Sequence, residues 1–214
     1  SAFPLGLEVI KIPLFFLKLL SRKTPFVHFL NAYVDICDKN YLPCNGIRKG
    51  EICPVDKKMC KAFSKKSKYL TGSAALNVYL SPLHENVCKD ISWKTSSKTF
   101  VLGPLIDKNR FFKSDCKKDI ENLFVGVIGE AKGGYAMREY SKDNELTLLG
   151  KVENGFNMNF GTHIPFVEYD EVGVVMRRAK NFVYLPRWPE PQGRVVHEAA
   201  LCGCNMILNE NVGA

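Results

Sequence analysis

The sequence predicts an α/β protein built from Rossmann-like, doubly wound parallel sheets, and three observations lead to this class. Short apolar runs of strand length alternate with segments of helical periodicity along most of the chain. Near the C-terminus, an apolar strand at residues 181–185 is followed by a polar loop and a helical run that ends at Gly203. A second strand, at 205–209, comes directly after this helix, and strands joined through a helix must lie parallel.

The first half of the chain carries fewer regular elements than the second. We expect strands at 26–30 and 76–80, a helix from about 81 to 90, and an irregular Cys- and Lys-rich segment at 37–68. Residues 92–99 are almost entirely polar and are interpreted as a linker. We therefore divide the chain into a domain at 1–99 and a domain at 100–214.

The second half follows the alternating pattern closely. Its predicted strands are 122–128, 146–150, 164–167, 181–185 and 205–209. Its predicted helices run from Gly134 to about 140, from 172 to 179, and from the loop after Glu190 to Gly203.

No apolar run reaches the roughly 20 residues of a membrane span. The longest, residues 12–20, is interrupted by Lys18 and is not arranged as a signal peptide. We expect this run to form a buried helix or strand rather than a helix at a membrane surface. The absence of a secretion pattern favours a cytoplasmic protein.

The net charge of +8 is concentrated in two clusters. Residues 48–68 carry eight Lys or Arg against two acids. The second cluster contains Lys108, Arg110, Lys113, Lys117 and Lys118. Such clusters suit nucleotide diphosphates or a peripheral contact with acidic lipids at a membrane surface, and a plain solvated face is the alternative. No nucleic-acid motif accompanies them, so we expect no nucleic-acid partner.

Four of the eight cysteines form a group in the irregular segment: Cys37, Cys44, Cys53 and Cys60. Their gaps of six, eight and six residues contain no Cys-x2-Cys pair, so a zinc site is only weakly indicated. Zinc, disulfides and plain thiols all stay open for this group. In the cytoplasm we expect mostly reduced thiols and no bound metal.

The segment from 181 to 204 is interpreted as a ligand site. Glu190 lies in the loop beyond the strand, and Glu198 lies about two turns into the helix. Ligands of open parallel sheets bind beyond the carboxyl ends of the strands, and the first amides of a helix hold phosphate. Two glutamates at this spacing also occur by chance, so the spacing alone does not select a site.

The wording around the two glutamates resembles the donor motif of retaining GT-B glycosyltransferases, the glycogen-synthase-like group also called glycosyl transferases group 1. The similar features are Glu-x7-Glu, Gly193 three residues after Glu190, Glu-Ala at Glu198, and Gly203 closing the helix. Other segments resemble the family in the same order along the chain. The family's opening strand and Gly-rich loop are not found. The resemblance therefore implies a GT-B fold with an incomplete acceptor domain and a donor domain shortened at its end.

The resemblance also implies an activity: transfer of a sugar from a nucleotide-diphosphate donor to a glycan or lipid-linked acceptor, with retention. Glu198 would accept hydrogen bonds from the ribose hydroxyls, and Glu190 would face the transferred sugar. Lys132 would neutralise the diphosphate as it leaves. No metal or other cofactor is implied. The remaining positions implied to bind the donor are Gly133, Gln192, Gly193 and Arg194, and the backbone amides from Gln192 to Arg194 would approach the sugar and the distal phosphate.

Two positions depart from the family's pattern. Val127 stands where members usually carry an Arg, and Asn31-Ala32 stands where many carry His-Asp. His28 lies three residues before Asn31, so in a strand it faces the opposite side. These departures keep open a non-catalytic nucleotide-sugar-binding or partner protein on the same fold. An NAD-dependent oxidoreductase is a third reading, and the absence of Gly-x-Gly-x-x-Gly counts against it.

Overall fold

The structure is a computed structural model that describes residues 12–33, 37, 64–91 and 97–214. The chain divides into two compact units, Ser1–Gly103 and Pro104–Ala214. Each unit contains a sheet whose strands all lie parallel. The predicted α/β class with doubly wound parallel sheets is thus confirmed.

The first unit has a three-stranded sheet in the order β1-β2-β3. Its elements are α1 (Leu14–Ser21), β1 (Val27–Phe29), α2 (Lys65–Ser73), β2 (Leu76–Tyr79), α3 (Pro82–Ile91) and β3 (Lys98–Val101). The end of the predicted linker belongs to this sheet, because Lys98 and Thr99 pair with β2. A polar sequence can form an edge strand, since backbone pairing needs no apolar side chain.

The helices α2 and α3 cover the same face of this sheet. On that face, the side-chain amide of Asn77 donates to the carbonyl of Thr71 in α2 over 2.9 Å. Right-handed crossovers between successive parallel strands produce this arrangement. The opposite face carries Val27, Phe29 and Phe100, whose side chains are between 45% and 58% exposed.

The apolar run at 12–20 forms the helix α1, but the expectation that it would be buried is wrong. No residue of α1 is buried, although six of its eight residues are Leu or Phe. The residues of α1 that are half-buried are Leu14, Leu17 and Ser21. Composition indicated an apolar helix or strand but could not reveal how little of it the rest of the unit covers. Among the described residues, no helix has the length and apolar character of a membrane span.

The second unit has a five-stranded sheet in the order β6-β5-β4-β7-β8. Its elements are β4 (Ile120–Val125), α4 (Gly134–Tyr140), β5 (Thr147–Leu149), β6 (Thr162–Ile164), α5 (Tyr169–Arg177), β7 (Ala179–Tyr184), α6 (Arg194–Leu201) and β8 (Asn205–Leu208). The predicted elements are all present, and three are displaced. The strand expected at 122–128 runs from Ile120 to Val125. The strand expected at 164–167 ends at Ile164, because Pro165 has no amide to donate. The helix expected at 172–179 ends earlier, and Ala179 opens β7.

Strands β4 and β7 form the centre of this sheet and of its core. Phe124 and Phe182 are fully buried, and the ring of Tyr184 stacks on both at centroid distances of 5.9 and 6.2 Å. Because this stack is part of the core, the last residue of β7 is held firmly in place. That residue, Tyr184, leads into the loop with the first predicted site glutamate.

Candidate functional site

The order in which the chain adds strands to the second sheet reverses between β4 and β7. From β4 the chain proceeds to β5 and β6 on one side, whereas β7 and β8 lie on the other. The carboxyl ends of β4 and β7 therefore border the crevice in which open α/β sheets bind ligands. A cavity of about 300 Å³ lies at this point. Five predicted site residues line it: Lys132, Glu190, Gln192, Arg194 and Glu198.

Glu190 is a buried carboxylate with three donors on one oxygen. Its Oε2 accepts hydrogen bonds from the Tyr184 hydroxyl over 2.7 Å and from the Trp188 indole N–H over 3.1 Å. The ammonium of Lys132 forms a salt bridge with the same oxygen. Three donors satisfy the buried charge and fix its position. The other oxygen, Oε1, takes part in none of these contacts.

Lys132 reaches Glu190 because the loop after β4 approaches the end of β7 very closely. Gly133 adopts φ 90°, and a Cβ at this position would lie 1.9 Å from the carbonyl oxygen of Leu185. The amide of Arg187 donates to the carbonyl of Ala131 over 3.1 Å, which joins the two loops again. Only glycine allows this approach at a positive φ. The Lys132 ammonium then lies 5.0 Å from the centroid of the Trp188 ring.

Glu198 is the second buried carboxylate of the cavity. Its Oε1 accepts a hydrogen bond from the Tyr169 hydroxyl over 2.9 Å and meets Nε of Arg194 at 3.2 Å. Burial raises the pKa of Glu198 above the ordinary glutamate value, and the contacts with Tyr169 and Arg194 act in the opposite direction. Oε2 takes part in neither contact, so a ligand that donates two hydrogen bonds has an acceptor here.

The start of α6 supplies backbone amides at the same cavity, but two of the predicted ones are already engaged. The N–H of Gly193 donates to the carbonyl of Gly213 over 2.9 Å, and that of Arg194 to Gln192 over 2.8 Å. The next residue, Val195, lies in the first turn of α6 and also lines the cavity. Amides of a first turn have no partner within their helix. We therefore expect Val195 to contribute an amide that the sequence had placed at Gly193 and Arg194.

Sequence reasoning did not identify the two tyrosines of the site. Tyr184 is the last residue of β7 and directly precedes the loop that carries Glu190. Its position at the end of this strand could have identified it as a site residue. Tyr169 opens α5 and meets a carboxylate 29 positions further on, a contact that no local pattern indicates. The part that Trp188 plays was not predicted either: its indole N–H donates to Glu190.

In the first unit, one departure from the family's pattern, Asn31-Ala32, lies at the carboxyl end of β1. Ala32 has φ 61°, an uncommon conformation for a residue other than glycine, and its carbonyl lies 3.1 Å from Nε2 of His84. His28 is buried, and its Nδ1 lies 3.1 Å from Oδ1 of Asn77. These contacts are structural, and His28 is held on the face that α2 and α3 cover.

The cysteine group lies mostly outside the described residues. Cys37 is a buried free thiol, and Cys44, Cys53 and Cys60 fall where the structure describes nothing. The hypothesis of a site made by these four residues stays a prediction.

The second basic cluster is partly used by the fold itself. The ammonium of Lys118 donates to the carbonyls of Ala179 and Gly203 over 2.7 and 3.0 Å. Arg110 pairs with Asp170 at 3.0 Å. Two of the five cations in this cluster thus have structural partners within the second unit.

A larger hollow, of about 610 Å³, lies at the amino ends of β4 and β5. Its acids include Asp119 and Glu121, which form salt bridges with Arg178 and Lys180. Paired surface carboxylates of this kind are ordinary surface ion pairs. The smaller cavity is therefore the better candidate, because it combines two buried carboxylates with a cation and a helix start.

No protein-family model matches this sequence, and no curated protein matches it. Solved structures do. Sucrose-phosphate synthase from Thermosynechococcus elongatus is 15% identical, with 92% of this chain and 54% of that chain covered and a TM-score of 0.65. HepE from Anabaena, in complex with UDP, is 16% identical, with coverage of 92% and 56% and a TM-score of 0.66. AviGT4, a glycosyltransferase involved in avilamycin A biosynthesis, is 18% identical, with coverage of 64% and 44% and a TM-score of 0.50.

The chain spans about half the length of these structural neighbours. At such low sequence identity, the likeness concerns the fold. The two parallel sheets of the chain thus have the GT-B architecture that the donor motif implied.

Proposed function

We propose that this protein is a glycosyltransferase that takes a sugar from a nucleotide-diphosphate donor and transfers it to a hydroxyl group of a glycan or a lipid-linked acceptor. One observation carries the proposal. The Lys132–Glu190 pair and the buried Glu198 line a single cavity at the switch point of a sheet with GT-B architecture. Nucleotide sugars bind at this place in the family that the donor motif resembles.

Glu198 is suited to hold the nucleoside. A ribose presents two neighbouring hydroxyls, and a carboxylate accepts hydrogen bonds from both. Tyr169 and Arg194 fix Oε1 and therefore orient the carboxylate before the ligand arrives. Burial of Glu198 costs free energy because its charge is incompletely solvated. A diol that donates hydrogen bonds to the carboxylate offsets this cost when it binds.

Lys132 is suited to the departing diphosphate. Negative charge grows on the leaving group as the glycosidic bond breaks, so a fixed cation stabilises the transition state more than the bound substrate. Glu190 and the ring of Trp188 hold the ammonium in one place. The first turn of α6 contributes backbone amides, whose partial positive charge also attracts the diphosphate. The proposed reaction uses no metal ion.

Retention and the acceptor class are proposed on the resemblance of the donor motif. The location proposed with them is the cytoplasm, at a membrane surface when the acceptor is lipid-linked. The opposing candidate is a nucleotide-sugar-binding protein without transferase activity. Val127 favours it, because this half-exposed side chain at the end of β4 supplies no second cation for the diphosphate.

A thermal-shift screen with UDP-glucose, UDP-N-acetylglucosamine, GDP-mannose and ADP-glucose tests donor binding. A ligand at 100 times its Kd stabilises the folded state by about 2.7 kcal/mol, which raises Tm by several degrees. We expect one donor to do so and Glu198→Ala to abolish the shift. Glu210→Ala, which removes an exposed glutamate, is the matched control and should keep it. A protein that none of these nucleotides stabilises would refute the proposal.

Release of free sugar from the donor that binds separates the enzyme from the binder. An enzyme should hydrolyse its donor slowly without an acceptor, and Lys132→Met should reduce this rate more than it weakens binding. Strong binding with no hydrolysis and no transfer to any acceptor would favour the non-catalytic alternative.

A further inference from the structure

The helix α1 presents an apolar surface to solvent. Its residues Phe15, Phe16, Leu19 and Leu20 are between 51% and 70% exposed. At about 100° per residue, these four side chains fall within an arc of roughly 140°. Four neighbouring apolar side chains on one short helix form a contiguous patch, which is uncommon on a soluble surface.

The orientation of α1 on the first unit is fixed from the opposite side. Ser21 contacts the hydroxyl of Tyr69 in α2, and the ammonium of Lys66 donates to the carbonyl of Ile12 over 2.8 Å. Leu14 and Leu17 are half-buried on the same side. The exposed arc therefore points away from the unit as a consequence of packing.

The charges around α1 have one sign. Residues 9–34 contain Lys11, Lys18, Arg22 and Lys23 and no acid. On the helical wheel, Lys18 and Arg22 stand together at one border of the apolar arc. An apolar, Phe-containing face with basic residues at its border is the pattern of helices that lie in the interface of a membrane.

We propose that α1 docks this protein onto an anionic membrane surface, with Phe15, Phe16, Leu19 and Leu20 inserted among the lipids and Lys18 and Arg22 at the headgroups. At 1.5 Å per residue, α1 is only about 12 Å long, so it lies in the interface and does not cross it. A protein partner is the less favoured occupant of this face, because lysine is depleted in protein–protein interfaces. Beside acidic lipids, by contrast, each lysine or arginine contributes about 1 kcal/mol to binding. This docking is independent of the proposed donor site.

Flotation with vesicles, in the absence of any nucleotide, tests the docking. The vesicles contain phosphatidylcholine alone or with 30% phosphatidylglycerol, at low and at high salt. We expect binding to the anionic vesicles only, and weaker binding at high salt. The variant Phe16→Ser/Leu19→Ser should lower the partition coefficient about ten-fold or more. The variant Lys18→Gln/Arg22→Gln should lower it about 30-fold.

Two matched controls accompany these variants. Leu105→Ser removes an exposed apolar side chain of the second unit, and Lys108→Gln/Lys117→Gln removes two exposed charges of the second basic cluster. Both should retain binding within about three-fold. Circular dichroism establishes that every variant is folded. All four substituted side chains, three in α1 and Arg22 directly after it, are exposed, so loss of folding is not expected.

Three outcomes would overturn the docking. The wild-type protein could bind neutral and anionic vesicles equally or not at all. The controls could lose as much binding as the α1 variants. Finally, light scattering without lipid could show a dimer that Phe16→Ser/Leu19→Ser dissociates, which would make a second copy the occupant of this face.

Discussion

The hydroxyl of Tyr184 donates to Oε2 of Glu190 over 2.7 Å, the same oxygen that forms the salt bridge with Lys132. The tyrosine belongs to the core of the second unit through its stacking on Phe124. The site carboxylate is thus anchored to the core by a buried hydrogen bond. The neighbouring charge raises the pKa of Tyr184 further than burial alone, so the hydroxyl stays a donor at every physiological pH.

Tyr184→Phe should lower the free energy of unfolding by about 1–2 kcal/mol. The ring remains and keeps its stacking, whereas the buried carboxylate loses one of its three donors. Urea unfolding at pH 7 measures the difference. Tyr135→Phe, which removes the hydroxyl of an exposed tyrosine, should change stability by less than about 0.5 kcal/mol.

A double-mutant cycle with Glu190→Gln attributes the loss to this contact. If Tyr184 acts through Glu190, the two substitutions should show a coupling free energy of at least about 0.5 kcal/mol. Additive effects would mean that the hydroxyl stabilises the fold in some other way.

Gly133→Ala should be strongly destabilising, by about 3 kcal/mol or more. The residue has φ 90°, and the added Cβ would come within 1.9 Å of the Leu185 carbonyl. Backbone on both sides of the contact must move, which separates Lys132 from Glu190. The substitution should therefore weaken donor binding as well, measured as a smaller thermal shift.

Gly155→Ala separates backbone strain from the steric clash. Gly155 has φ 81°, but a Cβ there would meet nothing within 4 Å. It should cost only about 1–2 kcal/mol, the usual penalty of a left-handed residue, and leave donor binding unchanged. Equal losses in the two variants would show that the close approach at Gly133 contributes nothing.

Much of the second unit could be predicted from sequence, because β4, β5, β7 and β8 contain apolar runs bounded by turn residues. The same pattern placed Glu190 and Glu198 at the carboxyl ends of the strands, and both line the cavity there. What could not be predicted depends on contacts between distant positions. Tyr169 reaches Glu198 across 29 residues, and no periodicity carries that information.

The first unit was harder to predict for a related physical reason. An apolar run indicates a tendency to be buried, but what actually covers it depends on the number of elements around it. The run at 12–20 formed a helix, one of the two elements expected, and stayed exposed, since the described part of this unit packs against only one side of α1. The first half of β3 was interpreted as part of a linker, because pairing with β2 leaves no mark in the polar residues Lys98 and Thr99.

The stability of the second unit should depend on the titration of Glu198. Burial raises the pKa of Glu198, so the folded state holds the proton to a higher pH than the unfolded state. The free energy of unfolding therefore falls as pH rises from about 4.3, the pKa of an unfolded glutamate, through the raised value. Above that window, the charged carboxylate is a net cost to the fold.

Glu198→Gln removes this titration and keeps an acceptor for the Tyr169 hydroxyl. The variant should be more stable than the wild type at pH 7, and the difference should shrink towards zero below about pH 4. Urea unfolding across this range measures it. Donor binding should be lost at the same time, in keeping with a site that sacrifices stability for function. A variant that is less stable than the wild type at pH 7 would contradict the sign of the effect.

His84 should make the first unit sensitive to acid. Its Nδ1 accepts from the amide of Leu80 over 3.2 Å, so Nε2 carries the proton and donates to the carbonyl of Ala32. Burial lowers the pKa of His84 to about 4, against about 6.5 in the unfolded chain. Between these values the unfolded state binds more protons. The free energy of unfolding should therefore fall as pH falls from about 6.5 to 4, by up to about 3 kcal/mol.

NMR titration of the His84 ring gives the folded pKa directly, and urea unfolding at pH 4.5 and 7 gives the loss of stability. His84→Gln should unfold more readily at pH 7, because it fits the two hydrogen bonds less well, but its stability should depend less on pH. An imidazole that titrates near 6.5, or a variant with the same acid sensitivity as the wild type, would refute His84 as the cause of the acid sensitivity. In that case a contact other than the hydrogen bond from neutral His84 would have to hold the Ala32 carbonyl and stabilise the positive φ of Ala32.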